Sequence, residues 1–134
     1  LSANNLNLSD TALNAYNSQS SVNHMASISA SSFAEVIRGY SSFGNLLFAS
    51  SYNGYTFNVV PTLDNPSPGT NPYLSGGYTL EIYGSSNGGK INAIEVATPY
   101  AGFRDNANAY RAVGVVLENA AKGFYQEQIG QVIY

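Results

Sequence analysis

The clearest hydrophobic pattern in the chain lies near its C-terminus and predicts a long amphipathic helix. Six residues recur at the spacing of one helix face: Tyr110, Val113, Gly114, Leu117, Ala121 and Phe124. Asp105 or Asn106 supplies a side-chain oxygen that can cap the first turn. Glu118 precedes Lys122 by four residues, which is the order that favours an ion pair on an exposed helix surface.

Shorter helices are predicted in the first half of the chain from residues that cap helix N-termini. Ser9 and Asp10 can cap a first helix. The segment Ser32 to Glu35 has the sequence of a capping box, in which the glutamate binds a free N–H group. That helix should end near Gly39, because glycine commonly follows the last helical turn. Ser42 can cap the next helix.

Three apolar runs in the second half of the chain are typical of β-strands. After a turn at Asn53-Gly54, residues 55–60 are rich in strand-forming residues and end at a proline. Residues 78–83 and 91–96 alternate apolar and polar positions around a turn at residues 87–89. Together with the helices they predict one α/β domain over residues 1–134. About three strands make a thin sheet, so we expect a partner segment or chain to complete it.

The charge content argues against nucleic acid and anionic membranes as partners and favours self-association. Only 10% of residues are charged and the net charge is −3, against about 25% charged residues in an ordinary soluble domain. Five cations spread over the chain form no basic stripe, so nucleic acid and anionic membranes are not expected partners. Low charge leaves little repulsion between copies, which favours self-association.

Three further features bear on compartment and chemistry. The chain has no cysteine, so it has neither disulfides nor thiolate chemistry. It opens at Leu1 without a methionine, which we interpret as removal of a preceding segment. Asn7-Leu8-Ser9 is an acceptor sequence for N-glycosylation. A secreted or extracellular protein, glycosylated at Asn7, is the prediction.

Several short motifs resemble, in their order, those of the N-formylglutamate amidohydrolase family. They are Leu6–Asp10 with Ser18–Ser21, Arg38-Gly39 with Ser42–Gly44 and Leu46-Leu47, the prolines from Pro61 to Pro72, Gly76–Tyr78, and Tyr100-x-Gly102-x-Arg104-Asp105. The resemblance covers nearly the whole chain. It implies the C-terminal half of a zinc-carboxypeptidase-like fold, whose metal ligands lie in an upstream half. A partner is therefore implied, either the N-terminal half of the same precursor or a second copy.

The chain departs from that family where catalysis is expected. The family's Arg-His pair, which would bind a substrate carboxylate, corresponds here to Glu81, Ile82 and Tyr83. In the alignment of the next strand, Glu95 occupies a glutamine position and Ala97 the position of the general base. A shift of two residues would make Glu95 the base, but the spacing of the motif around Tyr100 opposes it. An alanine cannot transfer a proton, so no catalytic residue is expected, and Glu95 is one only if the protein is active.

The remaining polar residues offer weak alternatives. His24 is the only histidine, and we interpret it as a surface or loop residue rather than a metal ligand, because zinc needs three or four ligands. No metal or cofactor is expected in this chain, unless a partner chain supplies zinc ligands. Glu81 and Glu95 could act as paired acids, but we expect one to be hydrated and the other to pair with Arg104 or Arg38.

Eleven tyrosines make a binding surface a further possibility. The predicted binding residues are Tyr78, Glu81, Tyr83, Tyr100 and Arg104. Five tyrosines lie near predicted turns and could form an aromatic platform for sugars: Tyr40, Tyr52, Tyr55, Tyr73 and Tyr100.

The leading hypothesis is a non-catalytic binding or structural protein derived from a zinc amidohydrolase, acting with another chain or in a homo-oligomer. The alternatives are the C-terminal subunit of an active two-chain zinc amidohydrolase, and a secreted glycan-binding protein.

Overall fold

Helices joined by turns and extended segments make up the computed structural model, which describes residues 1–130. The α-helices are α1 (Ala3–Leu6), α2 (Asp10–Leu13), α3 (Asn23–Ile28), α4 (Phe33–Arg38), α5 (Phe43–Ala49), α6 (Tyr78–Tyr83) and α7 (Ala107–Ile129). Two 3₁₀ helices, Asn14–Gln19 and Ser85–Asn87, and an irregular turn at Tyr100–Arg104 complete the elements.

The predicted α/β fold, with a zinc-carboxypeptidase-like sheet, is wrong for the described part of the chain. Residues 1–130 contain no strand, and the only β-type pairing in that range is the isolated bridge between Tyr52 and Tyr55. This bridge closes the predicted turn at Asn53-Gly54, where both residues have positive φ. The turn prediction is therefore confirmed, although no sheet extends from it.

Residues 78–83 form helix α6 instead of the predicted strand. Gly77 and Gly84 flank the helix in extended conformations and so begin and end it. Tyr78 and Ile82 are four residues apart on the exposed side, whereas Leu80 is half-buried and contacts Gly76. Six residues of alternating apolar character fit one turn and a half of helix as well as a strand, so the pattern could not decide between them.

Residues 55–60 and 91–96 are also not strands, because the only β-type pairing that involves them among the described residues is the single bridge of Tyr55 to Tyr52. A strand is defined by a ladder of hydrogen bonds to another strand, and these are usually contacts between segments distant in sequence. Both segments therefore have no regular secondary structure beyond this bridge.

Capping residues predicted the starts of the short helices α2 and α4 correctly. Ser9 accepts a hydrogen bond from the N–H of Ala12 at the start of α2. At α4 the Ser32 hydroxyl accepts from the Glu35 N–H, and the Glu35 carboxylate accepts from the Ser32 N–H at 2.9 Å. The helix ends at Gly39, as predicted.

Ser42 and Asn106 cap the two helices that form the centre of the fold. The Ser42 hydroxyl accepts from the N–H of Asn45 in α5. The Asn106 side chain accepts from Asn108 and Ala109 in α7. Both caps were predicted, and so was the surface ion pair on α7, in which Lys122 Nζ lies 2.8 Å from Glu118 Oε1. That hydrogen bond lowers the pKa of Glu118.

The buried face of α7 differs from the predicted one. Its buried residues are Ala109, Ala112, Val116, Ala120, Phe124 and Gln128, whereas Tyr110, Gly114 and Ala121 are exposed. Half of the residues on this inner face are alanines, and such small side chains let another helix approach closely. The prediction gave weight to the larger residues and so placed the face about one residue too far along the helix.

The core lies mainly between α7 and the helices α3 to α5. Leu47 and Phe57 pack on Val116 and Ala120 of α7. Farther along α7, Phe124 packs with Val22, Met25 and Val36. Phe43 meets the ring of Phe124 edge to face, with ring centroids 6.0 Å apart. A third cluster of Leu13, Phe33 and Ala34 joins α2 to α4.

Arg38 joins the N-terminal segment to this core. Its guanidinium donates two hydrogen bonds to Oδ1 of Asp10, at 2.6 and 2.9 Å. It also donates to the backbone carbonyls of Leu6 (2.6 Å), Leu8 (2.7 Å) and Pro66 (3.5 Å). A rigid fork of N–H donors suits this arrangement, so Arg38 holds α1, α2 and the proline-rich loop together from the end of α4.

Candidate functional site

An open groove with a volume of about 790 Å³ lies between the helical core and three segments without regular secondary structure. The core contributes side chains that include Val36, Leu47 and Phe124. The opposite walls are formed by residues 57–61, 71–76 and 93–99. This volume falls within the range of about 300–1,000 Å³ that is usual for ligand sites, and the mainly apolar lining is typical of them.

The segment at residues 93–99 is held at its N-terminal end by a cluster of hydrogen bonds around α3. Ser85 is fully buried, and its hydroxyl donates to the Ser21 carbonyl at 3.1 Å and accepts from the His24 N–H at 2.9 Å. The Asn92 side chain accepts from the Met25 N–H at 2.7 Å. The Ser21 hydroxyl donates to the Ala93 carbonyl at 2.7 Å. These bonds anchor residues 85–93 to the core.

After this cluster of hydrogen bonds the chain runs back along α6. A Cβ atom added at Gly77, which precedes α6, would lie 3.7 Å from Oε2 of Glu95. Helix α6, the turn at residues 85–89 and the extended segment that follows therefore form one hairpin-like unit. One side of this unit faces the groove, where Leu80 and residues 93–99 line the wall.

This unit and the residues beside it expose many apolar side chains, three of which (Leu74, Ile94 and Val96) also line the groove. Eight large hydrophobic residues between 74 and 100 are 40% to 76% exposed, and we call them the apolar surface: Leu74, Tyr78, Ile82, Tyr83, Ile91, Ile94, Val96 and Tyr100. Only Glu81, Lys90 and Glu95 are charged in this range. Single exposed apolar residues are normal, but eight large ones within 27 residues are a reason to consider an interaction site here.

Three of the predicted binding residues lie on α6. Tyr78 and Tyr83 are exposed and belong to the apolar surface. Glu81 is also exposed, and its backbone carbonyl accepts from the Asn87 side chain at 3.1 Å. It lines a small polar pocket of about 110 Å³ beside Gly77. The predicted residues are thus accessible, although they lie on a helix and not on a strand.

The other two predicted binding residues lie in the turn that precedes α7. The guanidinium carbon of Arg104 is 5.8 Å from the centroid of the Tyr100 ring, within the range of a cation–π contact. Both residues are exposed. The Asp105 carboxylate accepts from the Gly102 N–H at 2.9 Å and so stabilises this turn. One face of Tyr100 is therefore already in contact with Arg104.

The expected ion pair of Glu81 or Glu95 with Arg38 or Arg104 is wrong within the described residues. Arg38 pairs with Asp10 instead, and Lys122 pairs with Glu118. Glu81 and Glu95 are both exposed. Glu95 lines the groove, which makes it the acidic residue best placed to meet a bound molecule.

The chain does not assemble a zinc site from its described residues. His24 lies in α3 and is half-buried. Across residues 1–130, no three residues among His, Cys, Asp and Glu come close enough together to hold a metal ion. A zinc ion needs three or four such ligands. The residues described here therefore do not fit the metal that the amidohydrolase resemblance implies.

The tyrosines predicted near turns are scattered over the molecule. Tyr40 and Tyr52 are exposed, in the segments before and after α5. Tyr55 is half-buried, and its hydroxyl accepts from the Asn106 side chain at 3.4 Å. Tyr73 lines the groove, where burial raises its pKa. Tyr100 alone belongs to the apolar surface, so the five do not share one element.

Asn7 follows α1 and is exposed, as a glycosylation acceptor must be. None of the helices among the described residues is both long and hydrophobic enough to traverse a lipid bilayer.

Sequence reasoning missed the aromatic residues that form the groove. Phe43, Phe57 and Phe103 line it, and the rings of the last two are 5.7 Å apart. They lie on α5, on an extended segment and in the turn before α7, so no local pattern joins them. The cluster at Ser85 was also missed, because serine and asparagine in a glycine-rich turn are normally hydrated.

Comparison of the chain with protein-family models, with curated proteins and with solved structures gives no match in any of the three. The resemblance to N-formylglutamate amidohydrolases therefore stays a prediction.

Proposed function

We propose that this chain is a non-catalytic binding or structural protein that acts in association with another polypeptide chain. The observation that carries the proposal is the exposure of the eight residues of the apolar surface between residues 74 and 100. Exposing such a surface to water is unfavourable, and covering it with a complementary surface releases that free energy.

The size of the apolar surface suits a protein partner. If each side chain presents about 150 Å² when fully exposed, the eight present on the order of 700 Å² at their observed exposures. A standard protein–protein interface buries about 800 Å² on each partner, whereas the largest apolar patch of a typical monomer covers about 300–600 Å². Three of the eight residues are tyrosines, which are enriched at interfaces.

The composition of the surface favours a polypeptide over a charged ligand. Two carboxylates and one ammonium over residues 74–100 make no concentrated field. Apolar contacts with a few polar groups at the edge are what a stable protein interface provides. We extend the proposal to a secreted or extracellular location, supported by the exposed acceptor at Asn7.

The test is the mass of the native particle. The protein is purified without denaturant, and the mass of the native particle is measured by native mass spectrometry and by sedimentation. We expect a complex containing this chain and at least one more polypeptide. The double variant Tyr78→Ser with Ile82→Ser should dissociate it, whereas the control Tyr40→Ser, which is equally exposed in the turn before α5, should not. A native monomer whose behaviour neither substitution changes would contradict the proposal.

One observation favours the second hypothesis, a two-chain zinc amidohydrolase. Glu95 lines the groove with its carboxylate accessible, and the partner would have to supply the zinc ligands. If the native complex hydrolyses an amide only in the presence of zinc, and Glu95→Gln abolishes this, the non-catalytic proposal is wrong. Retained hydrolysis in Glu95→Gln would remove Glu95 from any catalytic role.

The glycan-binding hypothesis is favoured only by the exposed rings of Tyr78 and Tyr83. Tyrosine rings stack on the apolar faces of sugars. A glycan array probed with the purified protein tests this. Binding that is lost in Tyr78→Ser would support it, and an array without signal would leave the protein partner as the only role for this surface.

A further inference from the structure

We propose that Asn53, in the turn that follows α5, is a site of spontaneous deamidation, where the chain's own backbone converts the side-chain amide to a carboxylate. The sequence contains two Asn-Gly pairs, Asn53-Gly54 and Asn87-Gly88. The fold leaves the first pair free to react and restrains the second. The site is separate from the apolar surface, so this inference goes beyond the proposed function and does not depend on it.

The reaction uses the backbone nitrogen of the residue after the asparagine as its nucleophile. That nitrogen attacks the side-chain carbonyl carbon, the bond from this carbon to the side-chain nitrogen breaks, and ammonia leaves, so that a succinimide ring remains. Water then opens the ring at either carbonyl and gives aspartate or isoaspartate. A water molecule is consumed, an ammonia molecule is released, and nothing is oxidised. A following glycine favours the reaction, because it has no Cβ to shield the nitrogen.

The reacting atoms of Asn53 and Gly54 are accessible. Both residues are exposed, and a Cβ atom added at Gly54 would meet no other atom within 4 Å. Among residues 1–130, neither the Gly54 N–H nor the Asn53 side chain forms a hydrogen bond with another residue. The deprotonated nitrogen is the form that attacks, and an N–H that is not bonded to a carbonyl loses its proton to hydroxide more readily.

The turn at Asn53 opens easily. Two backbone hydrogen bonds between Tyr52 and Tyr55, of 3.0 and 3.2 Å, close it. No ladder continues this bridge in the part of the chain that the structure describes. Ring closure requires Asn53 to leave its present backbone conformation, in which φ is 50°. That left-handed conformation is unfavourable for residues other than glycine, and short exposed turns open locally at low free energy.

Asn87 and Gly88 match the first pair in exposure and in local space but are restrained by hydrogen bonds. Both residues are exposed, and Gly88 has a positive φ of 80° and no atom within 4 Å of its Cβ position. The Gly88 N–H, however, donates to the Ser85 carbonyl at 3.1 Å. The Asn87 side-chain amide donates to the Glu81 carbonyl at 3.1 Å. The nucleophile and the leaving group are therefore both held, and both hydrogen bonds must break before the ring can close.

Deamidation at Asn53 changes both the charge and the backbone of the turn. The new carboxylate adds a negative charge to a chain whose net charge is −3. Isoaspartate also lengthens the backbone by a methylene group, so the N–H and carbonyl groups of Tyr52 and Tyr55 no longer lie opposite each other and the bridge is lost. Tyr55 packs against the core cluster that contains Phe57 and Val116, so the modification loosens one edge of this cluster.

The test follows both sites by peptide mapping of the intact folded protein during incubation at mildly alkaline pH, in water enriched in heavy oxygen. Incorporation of the heavy isotope marks the residues that react during the incubation. Because two hydrogen bonds protect Asn87, we expect Asn53 to react at least about tenfold faster than Asn87. The variant Gly54→Ala should slow the reaction at Asn53 severalfold, since the added Cβ shields the nitrogen, and should leave the rate at Asn87 unchanged.

The unfolded chain is the matched control. In guanidinium chloride the hydrogen bonds that protect Asn87 are absent, so the two rates should converge. A ratio of the Asn53 rate to the Asn87 rate that is no larger in the folded protein than in denaturant would overturn the inference, because the fold would then not select the site. It would also be overturned by an Asn53 that stays intact in the folded protein while it reacts in the unfolded chain. Neither result bears on the proposed function, which the mass of the native particle tests separately.

Discussion

Arg38 is the side chain whose replacement we expect to destabilise the fold most among the charged residues. Its side chain is 8% exposed. In Arg38→Met the new side chain still fills the space of the arginine methylenes, but the carbonyls of Leu6 and Leu8 lose short hydrogen bonds from a charged donor. Such bonds contribute about 1.5–3 kcal/mol each. Because two of them are lost, we expect the free energy of unfolding to fall by about 3–5 kcal/mol.

Two companion variants separate the carbonyl bonds from the ion pair. The Asp10 side chain is 72% exposed and therefore well hydrated, so Asp10→Asn should cost only about 1 kcal/mol or less. Arg111 is exposed on α7, and Arg111→Met should change stability by no more than about 0.5 kcal/mol. Urea unfolding followed by far-ultraviolet circular dichroism measures all three. The reasoning is refuted if Arg38→Met is no more destabilising than Arg111→Met, or if Asp10→Asn costs as much as Arg38→Met.

Three further predictions concern packing, titration and modification. Gly44→Ala should destabilise the protein by about 1–3 kcal/mol, because its Cβ would overlap the Pro61 carbonyl. Its control is Gly114→Ala, on the exposed side of α7 with open space around it, which should stabilise the protein by about 0.5–1 kcal/mol. Thermal unfolding of both variants shows whether their changes in stability have opposite signs. Burial raises the pKa of Tyr73, so the stability contributed by its neutral phenol is fully present below about pH 10 and is lost as pH rises through the raised pKa. The urea midpoint should therefore fall further between about pH 8 and about pH 11 in the parent protein than in Tyr73→Phe. An equal fall in both proteins would contradict a raised pKa of Tyr73. Expression in a secreting eukaryotic cell should attach a glycan at Asn7 that peptide N-glycosidase removes; an unchanged mass, equal to that of Asn7→Gln, would count against secretion.

Local chemistry in the sequence determined where α2, α4, α5 and α7 begin and where α4 ends. The caps at Ser9, Ser32, Ser42 and Asn106 were predicted from the sequence and are all present. Each is a hydrogen bond between residues two or three apart, so its partners are specified by spacing alone. The turn at Asn53-Gly54 was predictable for the same reason, because positive φ is a property of those residue types.

Tertiary structure alone decided the fate of the apolar runs and the composition of the site. Whether residues 78–83 and 91–96 become strands depends on a partner strand, which is a contact between distant segments. The face of α7 that is buried depends on how closely α5 approaches it. The hydrogen-bond acceptors of Arg38 lie in segments that are 28 to 32 residues away in the sequence. The groove is likewise assembled from separate elements. A sequence specifies the short-range bonds directly, whereas these contacts depend on the relative positions of whole helices and extended segments, which only the folded chain sets.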